Sequence, residues 1–153
     1  MWKQQLAAAL SAPAHQARAL PPMAYRCPEL FEAELALFRR EWVLLGLEAA
    51  LSAPGAYRAL TIGGEPVVLL RSPKDGELRL LSNTCRHRGM VLLEGAGTAK
   101  TLVCPYHAWT YGPDGRFRGA PFCDKGRVSA DDHSLPVLRL AAWKGLLFGT
   151  LSA

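Results

Sequence analysis

Two short cysteine–histidine pairs constrain this chain of 153 residues more than any other feature of its sequence. The first pair is Cys85-x-His87 and the second is Cys104-x-x-His107, and residues 88–103 separate them. A fold that joins these four side chains must bring two loops together, each with one thiolate and one imidazole. Two thiolates and two imidazoles in a closed site suit either a tetrahedral zinc ion or an iron–sulfur cluster.

The mixing of ligand types within each pair favours an iron–sulfur cluster over zinc. Structural zinc sites usually pair like ligands at gaps of about two to five residues, whereas each pair here joins a cysteine to a histidine. Each loop can give its cysteine to one iron and its histidine to the other, so that two loop tips hold a two-iron cluster. A structural zinc module whose loops bind a partner stays open as an alternative, and it predicts a colourless protein.

The charge of such a cluster predicts its redox behaviour. Two ferric ions, two sulfides and two thiolates sum to zero when both histidines are neutral, whereas four thiolates would leave the cluster doubly negative. The neutral cluster accepts an electron more readily, so its potential lies above that of an all-cysteine cluster. Each histidine also keeps one ring nitrogen for a hydrogen bond to a partner, or for loss of a proton on oxidation.

Outside the two pairs, the pattern is that of short strands separated by turns. An amphipathic helix is predicted at 29–42, and it carries acids in its first turns and bases later, as its dipole favours. A weaker alanine-rich helix in residues 1–20 is interrupted by Pro13. After Pro54-Gly55 the helical period is lost, and glycine and proline punctuate apolar runs. The predicted strands are 57–62, 66–71, 78–83, 102–103, 108–111, 135–141 and 145–150.

Composition argues against several classes of function. The net charge of +5 is scattered, with no basic run longer than Arg39-Arg40, so we expect no nucleic-acid partner. No apolar stretch approaches the roughly 18 residues of a membrane span, and the apolar part of the N-terminal segment is too short for a signal peptide. Cys27 and Cys123 are isolated in sequence, so we expect no disulfide framework and a reducing, cytoplasmic location.

At the two pairs the sequence resembles a known family. "NTCRHRG" followed by "CPYHAWTY" is similar to the Rieske domain of ring-hydroxylating, Rieske-type non-haem iron oxygenases, at the N-terminus of their large (α) subunit. The resemblance runs from about residue 28 to the end. It implies a mainly β fold, a Rieske-type antiparallel β-sandwich with a cluster-binding subdomain at about 83–123. The Rieske domain would cover 28–153, after an N-terminal extension at 1–27 that is partly helical or disordered.

The resemblance also implies roles for individual residues. Cys85 and Cys104 would hold one iron, and His87 and His107 the other. His107 would be the electron exit, because the second-loop histidine of the family bonds through its free nitrogen to an aspartate of the next subunit's catalytic domain. The surroundings of the cluster would include Arg86, Arg88, Gly89, Tyr106, Trp109 and Tyr111.

Several of these surrounding residues have two interpretations. Arg86 and Arg88 are either solvated loop residues or a positive rim that steers an acidic electron donor. Trp109 and Tyr111 are either core aromatics or a shield between the cluster and water. Gly89 is expected to serve the tight geometry of the loop.

Two departures distinguish the chain from the Rieske proteins of respiratory and photosynthetic complexes. Those proteins carry an extra cysteine in each loop, whereas this chain has Tyr106 before His107 and no cysteine between His87 and Cys104. They also carry a serine donor two residues after the second histidine, where this chain has Trp109. Fewer donors to sulfur predict a low potential, near the bottom of the Rieske range of about −150 to +300 mV.

The resemblance implies an oxidoreductase component that does not hydroxylate substrate alone. A flavin reductase or ferredoxin would supply electrons, and the mononuclear Fe(II) of an oxygenase catalytic domain, absent from this sequence, would accept them. A homotrimer is expected only within a full α subunit. His15 and His133 are interpreted as an exposed bystander and a turn residue. A freestanding Rieske ferredoxin stays open as the alternative, although the N-terminal extension and the basic charge argue against it.

Overall fold

The structure is a computed structural model that describes residues 2–121, 123 and 128–152. Phe122, within the predicted subdomain at 83–123, lies outside the described residues. So do Met1, residues 124–127 and Ala153, which belong to the segments predicted at 1–27 and 28–153.

Three α-helices occur in the described part of the chain: α1 (Trp2–Leu10), α2 (Pro28–Arg40) and α3 (Ala130–His133). Helix α2 begins at Pro28, where the missing N–H is no loss because the first turn has no partner for it. The predicted continuation to Trp42 is wrong, because Glu41 is already extended at φ −90° and ψ 163°. Among the residues described, no helix combines the length and apolar character needed to cross a bilayer.

Antiparallel β-structure makes up most of the fold. The strands among the described residues are β1 (Val43–Leu47), β2 (Ala56–Ile62), β3 (Glu65–Arg71), β4 (Leu78–Ser82), β5 (Ala96–Thr98), β6 (Leu102–Val103), β7 (Thr110–Tyr111), β8 (Phe117–Gly119), β9 (Val137–Trp143) and β10 (Leu146–Thr150). Seven of them form a sheet in the order β1-β10-β9-β4-β3-β2-β5, and the other three form a smaller sheet in the order β6-β7-β8. The predicted mainly β, antiparallel fold with an N-terminal helical part is confirmed.

The predicted strands differ from the observed ones where local signals are weak. The sequence predictions missed β1, β5, β8 and helix α3. The strand predicted at 108–111 begins only at Thr110, because Ala108 has a positive φ of 54° that no strand tolerates. Such left-handed residues are rarely alanine, so the sequence offered no warning.

Strand β3, in the interior of the large sheet, separates two clusters of buried side chains. Val67 and Leu69 belong to one buried cluster, which is formed mainly by side chains of the seven-stranded sheet. Val68 and Leu70 belong to a second cluster, which includes both cysteines of the paired loops. This alternation is the two-residue period of a strand buried on both faces. The second cluster comprises Val68, Leu70, Leu81, Cys85, Leu92, Leu102, Cys104, Trp109, Tyr111, Phe117 and Leu135. Both cysteines of the pairs are therefore part of a hydrophobic core.

Candidate metal centre

The first loop, Cys85–Met90, is closed by two backbone hydrogen bonds. The Cys85 N–H donates to the Met90 carbonyl at 2.8 Å, and the Gly89 N–H donates to the Cys85 carbonyl at 3.0 Å. Gly89 has a φ of +71°, a conformation that costs glycine little. Below the loop, both polar atoms of the buried Asn83 side-chain amide bond the Leu93 backbone: Nδ2 donates to the Leu93 carbonyl at 2.7 Å, and Oδ1 accepts from the Leu93 N–H at 3.0 Å. The loop therefore stands on a fixed base.

The second loop, Cys104–Trp109, repeats this backbone frame. The Cys104 N–H donates to the Trp109 carbonyl at 2.8 Å, and the Ala108 N–H donates to the Cys104 carbonyl at 2.9 Å. Ala108 takes the place of Gly89 and has a φ of +54°. In each loop the cysteine amide bonds five residues ahead, and its carbonyl accepts from the residue four ahead. The histidine, however, is two residues after the cysteine in the first loop and three residues after it in the second.

A contact between the two histidines brings the two loops together, each with one thiol and one imidazole. Cys85 and Cys104 are reduced and only 2% and 3% exposed. The Nδ1 atoms of His87 and His107 lie 3.2 Å apart, on an exposed and a partly exposed ring respectively. In the part of the chain that the structure describes, no three cysteine, histidine or carboxylate side chains are grouped to hold one metal ion.

Tyr111 is the polar contact of the first thiol. Its hydroxyl oxygen lies 3.3 Å from Cys85 Sγ and accepts the Arg86 N–H at 3.0 Å. Because that oxygen already accepts from the backbone, its own hydrogen is available to the sulfur. Burial raises the pKa of the Tyr111 phenol well above its usual value, and the contact with Cys85 adds to the shift. The phenol therefore stays protonated and can act as a donor.

The two imidazoles have different surroundings. Desolvation lowers the pKa of His87 below its usual value, and the Arg88 cation and His107 act in the same direction. This favours the neutral imidazole, which is the form that binds metals. Arg86 and Arg88 are both exposed beside it. The first loop therefore presents positive charge at the tip.

Each imidazole lies against an aromatic ring of the second loop. The Trp109 ring is parallel to His87, with centroids 4.8 Å apart and planes at 6°. The Tyr106 ring stacks on His107 at 3.8 Å and 26°. Trp109 is 6% exposed and Tyr106 is 56% exposed. Trp109 and Tyr111 are thus core aromatics that also contact the paired residues, so the two interpretations of them are compatible.

The sequence interpretation of His133 as a turn residue misses its packing. His133 ends helix α3, and its ring forms a T-shaped pair with Trp109, with centroids 5.4 Å apart and planes at 67°. No local pattern indicates this contact, because it joins residues 24 positions apart (133 − 109). His15 lies in a 3₁₀ turn, Ala14–Gln16, and is exposed.

Comparison with known proteins places the chain in a family. Residues 41–140 match the Rieske [2Fe-2S] domain. Chlorobenzene dioxygenase subunit alpha of Cupriavidus sp. (strain PS12) is 37% identical over 131 residues, covering 83% of this chain and 29% of that protein. The carnitine monooxygenase oxygenase subunit of Acinetobacter baumannii is 36% identical over 131 residues, covering 84% and 35%. The crystal structure of naphthalene 1,2-dioxygenase from Rhodococcus sp. bound to indole matches with a TM-score of 0.83 at 30% identity, covering 98% of this chain and 35% of that one.

The chain therefore belongs to the Rieske [2Fe-2S] domain family, whose cofactor is a [2Fe-2S] cluster. The resemblance to oxygenase α subunits is confirmed by relatives of that kind. The chain spans about three-tenths of the length of the first curated relatives that it matches. The catalytic mononuclear iron belongs to the full oxygenases and not to this chain. Because these relatives are oxygenase subunits, the alternative of a freestanding Rieske ferredoxin has less support.

Proposed function

We propose that this chain is the electron-transfer domain of an oxygenase α subunit, with its [2Fe-2S] cluster held by Cys85, His87, Cys104 and His107. The donor set supports this assignment. Two buried, reduced thiols and two imidazoles whose Nδ1 atoms lie 3.2 Å apart are what a two-cysteine, two-histidine cluster requires. When bound, the cluster supplies reversible one-electron transfer.

The chain's own residues would set the conditions of that transfer. Tyr111 would donate a hydrogen bond to the Cys85 sulfur, which favours the reduced, more negative site and raises its potential. At the position two residues after the second histidine, Trp109 offers a ring that stacks on His87 and no comparable donor. With one such donor in place of two, we propose a potential in the low part of the Rieske range.

His107 is the proposed electron exit. Its ring is partly exposed and lies against the exposed Tyr106 ring, so a partner can reach both. If Nδ1 faces the cluster, as its approach to His87 supports, Nε2 is left to bond an acceptor. In the family this acceptor is a carboxylate of the catalytic domain, and we propose the same class of partner here.

Arg86 and Arg88 are the proposed contact for an electron donor. Both are exposed within two residues of His87, and charges in such positions speed association with an acidic partner more than they strengthen the complex. We propose a flavin reductase or a small ferredoxin as this donor and a cytoplasmic location. Assembly into a homotrimer is proposed only for a full α subunit.

We also propose that residues 28–153 form the Rieske domain and that residues 1–27 are an extension of it, because the described contacts support these boundaries. Residues 28–153 contain the two sheets and both core clusters, whereas the N-terminal extension at 1–27 contributes no buried residue among those described. The cluster-binding subdomain at about 83–123 contains both loops and the small β6-β7-β8 sheet. Limited proteolysis that removes 1–27 and leaves the visible spectrum intact would support these boundaries.

Electron paramagnetic resonance of the anaerobic, dithionite-reduced chain tests this function, with iron and acid-labile sulfide measured on the same sample. We expect a rhombic signal at low average g with about two irons and two sulfides per chain. Cys104→Ser is expected to lose both the signal and the iron. Cys27→Ser is the matched control and should behave as the parent chain, since Cys27 lies outside both loops. A colourless chain with one zinc ion would instead establish the structural zinc module.

A further inference from the structure

His133 lies outside the paired loops and reaches the site through its contact with the Trp109 ring. The His133 and Trp109 rings form a T-shaped pair, with centroids 5.4 Å apart and planes at 67°, and Trp109 in turn lies parallel to His87 at 4.8 Å and 6°. The positive edge of one aromatic ring is attracted to the negative face of another, so edge-on and offset arrangements have defined orientations. Three rings therefore contact Trp109: the proposed cluster ligand His87, His133, and Phe117, whose centroid lies 5.0 Å from that of Trp109 with the planes at 58°.

The His133 ring is also held by contacts other than the one to Trp109. Its Nδ1 lies 3.0 Å from the Ser129 carbonyl oxygen. A carbonyl can only accept, so Nδ1 carries the hydrogen and donates it. The ring also lies 6.3 Å from Phe117, another member of the core cluster under the loops. A partly buried ring with a hydrogen bond at one edge has little freedom to turn.

Helix α3, which carries His133, is anchored to the small sheet. The Phe117 N–H of strand β8 donates to Ser134 Oγ at 2.9 Å, one residue past the helix. The Leu135 N–H donates to the Gly115 carbonyl at 2.8 Å, in the turn that precedes β8. These bonds connect the end of α3 to the same sheet that contains Tyr111. The helix and the second loop are thus parts of one packed unit.

From these contacts we infer that His133 is a positioning residue, which holds the Trp109 indole parallel to His87 and so restricts the rotation of that imidazole. The inference rests on the proposed role of His87 as a cluster ligand. Groups that orient metal-bound histidines affect metal affinity typically by 10- to 100-fold. Here the orienting contact is a stack rather than a hydrogen bond, so the low end of that range applies.

Substitution at His133 tests this role in the anaerobically purified 153-residue chain with its cluster. His133→Ala removes the ring that contacts Trp109, and we expect the cluster to be lost to a chelator about tenfold faster, with a changed electron paramagnetic resonance line shape. His133→Phe keeps a ring against Trp109 but lacks the Ser129 hydrogen bond, so it should restore most of what His133→Ala loses on both measurements. His15→Ala is the matched control, since His15 is exposed and lies in the N-terminal extension.

The outcomes separate this inference from the proposed function. A parent chain without the rhombic electron paramagnetic resonance signal contradicts both the proposed function and this inference. A parent signal that His133→Ala leaves unchanged, with an unchanged rate of cluster loss, contradicts the inference alone. A lower unfolding temperature with the parent line shape and loss rate also contradicts it, because packing of α3 alone would do that. So does a His133→Phe chain as impaired as the alanine variant. Should His133→Ala not fold, His133→Gln is judged by the same two measurements.

Discussion

The two cysteine–histidine loops share a backbone frame but divide the chemistry of the site between them. Each is closed by a bond from the cysteine amide to a carbonyl five residues on, and each has a left-handed residue four after the cysteine. The first loop contributes the exposed charges Arg86 and Arg88, whereas the second contributes both stacked aromatic rings. One local frame can therefore present a histidine at two different spacings and serve two purposes, charge at the rim and packing below it.

The cysteines are where the two loops should be equivalent. Cys85→Ser and Cys104→Ser are each expected to abolish the visible spectrum and the iron content of the chain, because each removes half of the thiolates from one proposed iron. Iron analysis and absorbance on chains purified side by side check this. A variant that keeps a full complement of iron would show that its loop is not part of the cluster site.

The aromatic rings should be unequal in their contribution to stability. Trp109→Ala empties a buried position and is expected to lower the free energy of unfolding by about 3–5 kcal/mol. Tyr106→Ala alters an exposed ring and is expected to change it by no more than about 0.5 kcal/mol. Urea denaturation of both variants under matched conditions measures the difference. Equal losses would show that the exposed Tyr106–His107 stack is as important to the fold as the buried Trp109.

The hydroxyl of Tyr111 should affect only the first loop. Tyr111→Phe removes the donor to Cys85 and is expected to lower the potential by about 60 mV, which corresponds for one electron to a hydrogen bond roughly 1.4 kcal/mol stronger in the reduced than in the oxidised site. A redox titration monitored by electron paramagnetic resonance measures the shift in reduction potential. Tyr57→Phe, which removes a hydroxyl bonded to the Glu94 carbonyl at 3.3 Å, is the matched control. A Tyr111→Phe chain at the parent potential would assign the phenol to packing alone.

The left-handed residues should respond in opposite directions. Gly89→Ala is expected to destabilise the chain by about 1–2 kcal/mol through backbone strain alone, since a Cβ there would meet no heavy atom within 4 Å. Ala108→Gly relieves the same strain but frees the unfolded chain, for a net gain of up to about 1 kcal/mol. Thermal unfolding of the two variants compares them. Changes of the same sign would mean that backbone strain at a positive φ does not decide the stability effect at these two positions.

The sequence alone could predict much of the fold and the paired residues. The paired residues could be predicted because they stand at short spacings: Cys85, His87, Cys104 and His107. Strands such as β2, β3 and β4 could be predicted because glycine and proline turn residues separate them in the sequence. The stack of Trp109 on His87 and the edge contact of His133 could not be predicted, because they join residues far apart in the chain. Strand β1 was missed because it follows helix α2 with only two residues between them.

The most direct test of the central claim is to count the histidine nitrogens coupled to the reduced cluster, by pulsed electron paramagnetic resonance of a chain labelled with ¹⁵N only in histidine. The account predicts two strongly coupled nitrogens in the parent chain, one after His107→Cys if the cluster still assembles, and two after His15→Ala. Fewer than two coupled nitrogens in the parent, or two that persist after His107→Cys, would contradict the assignment of His87 and His107 to the cluster.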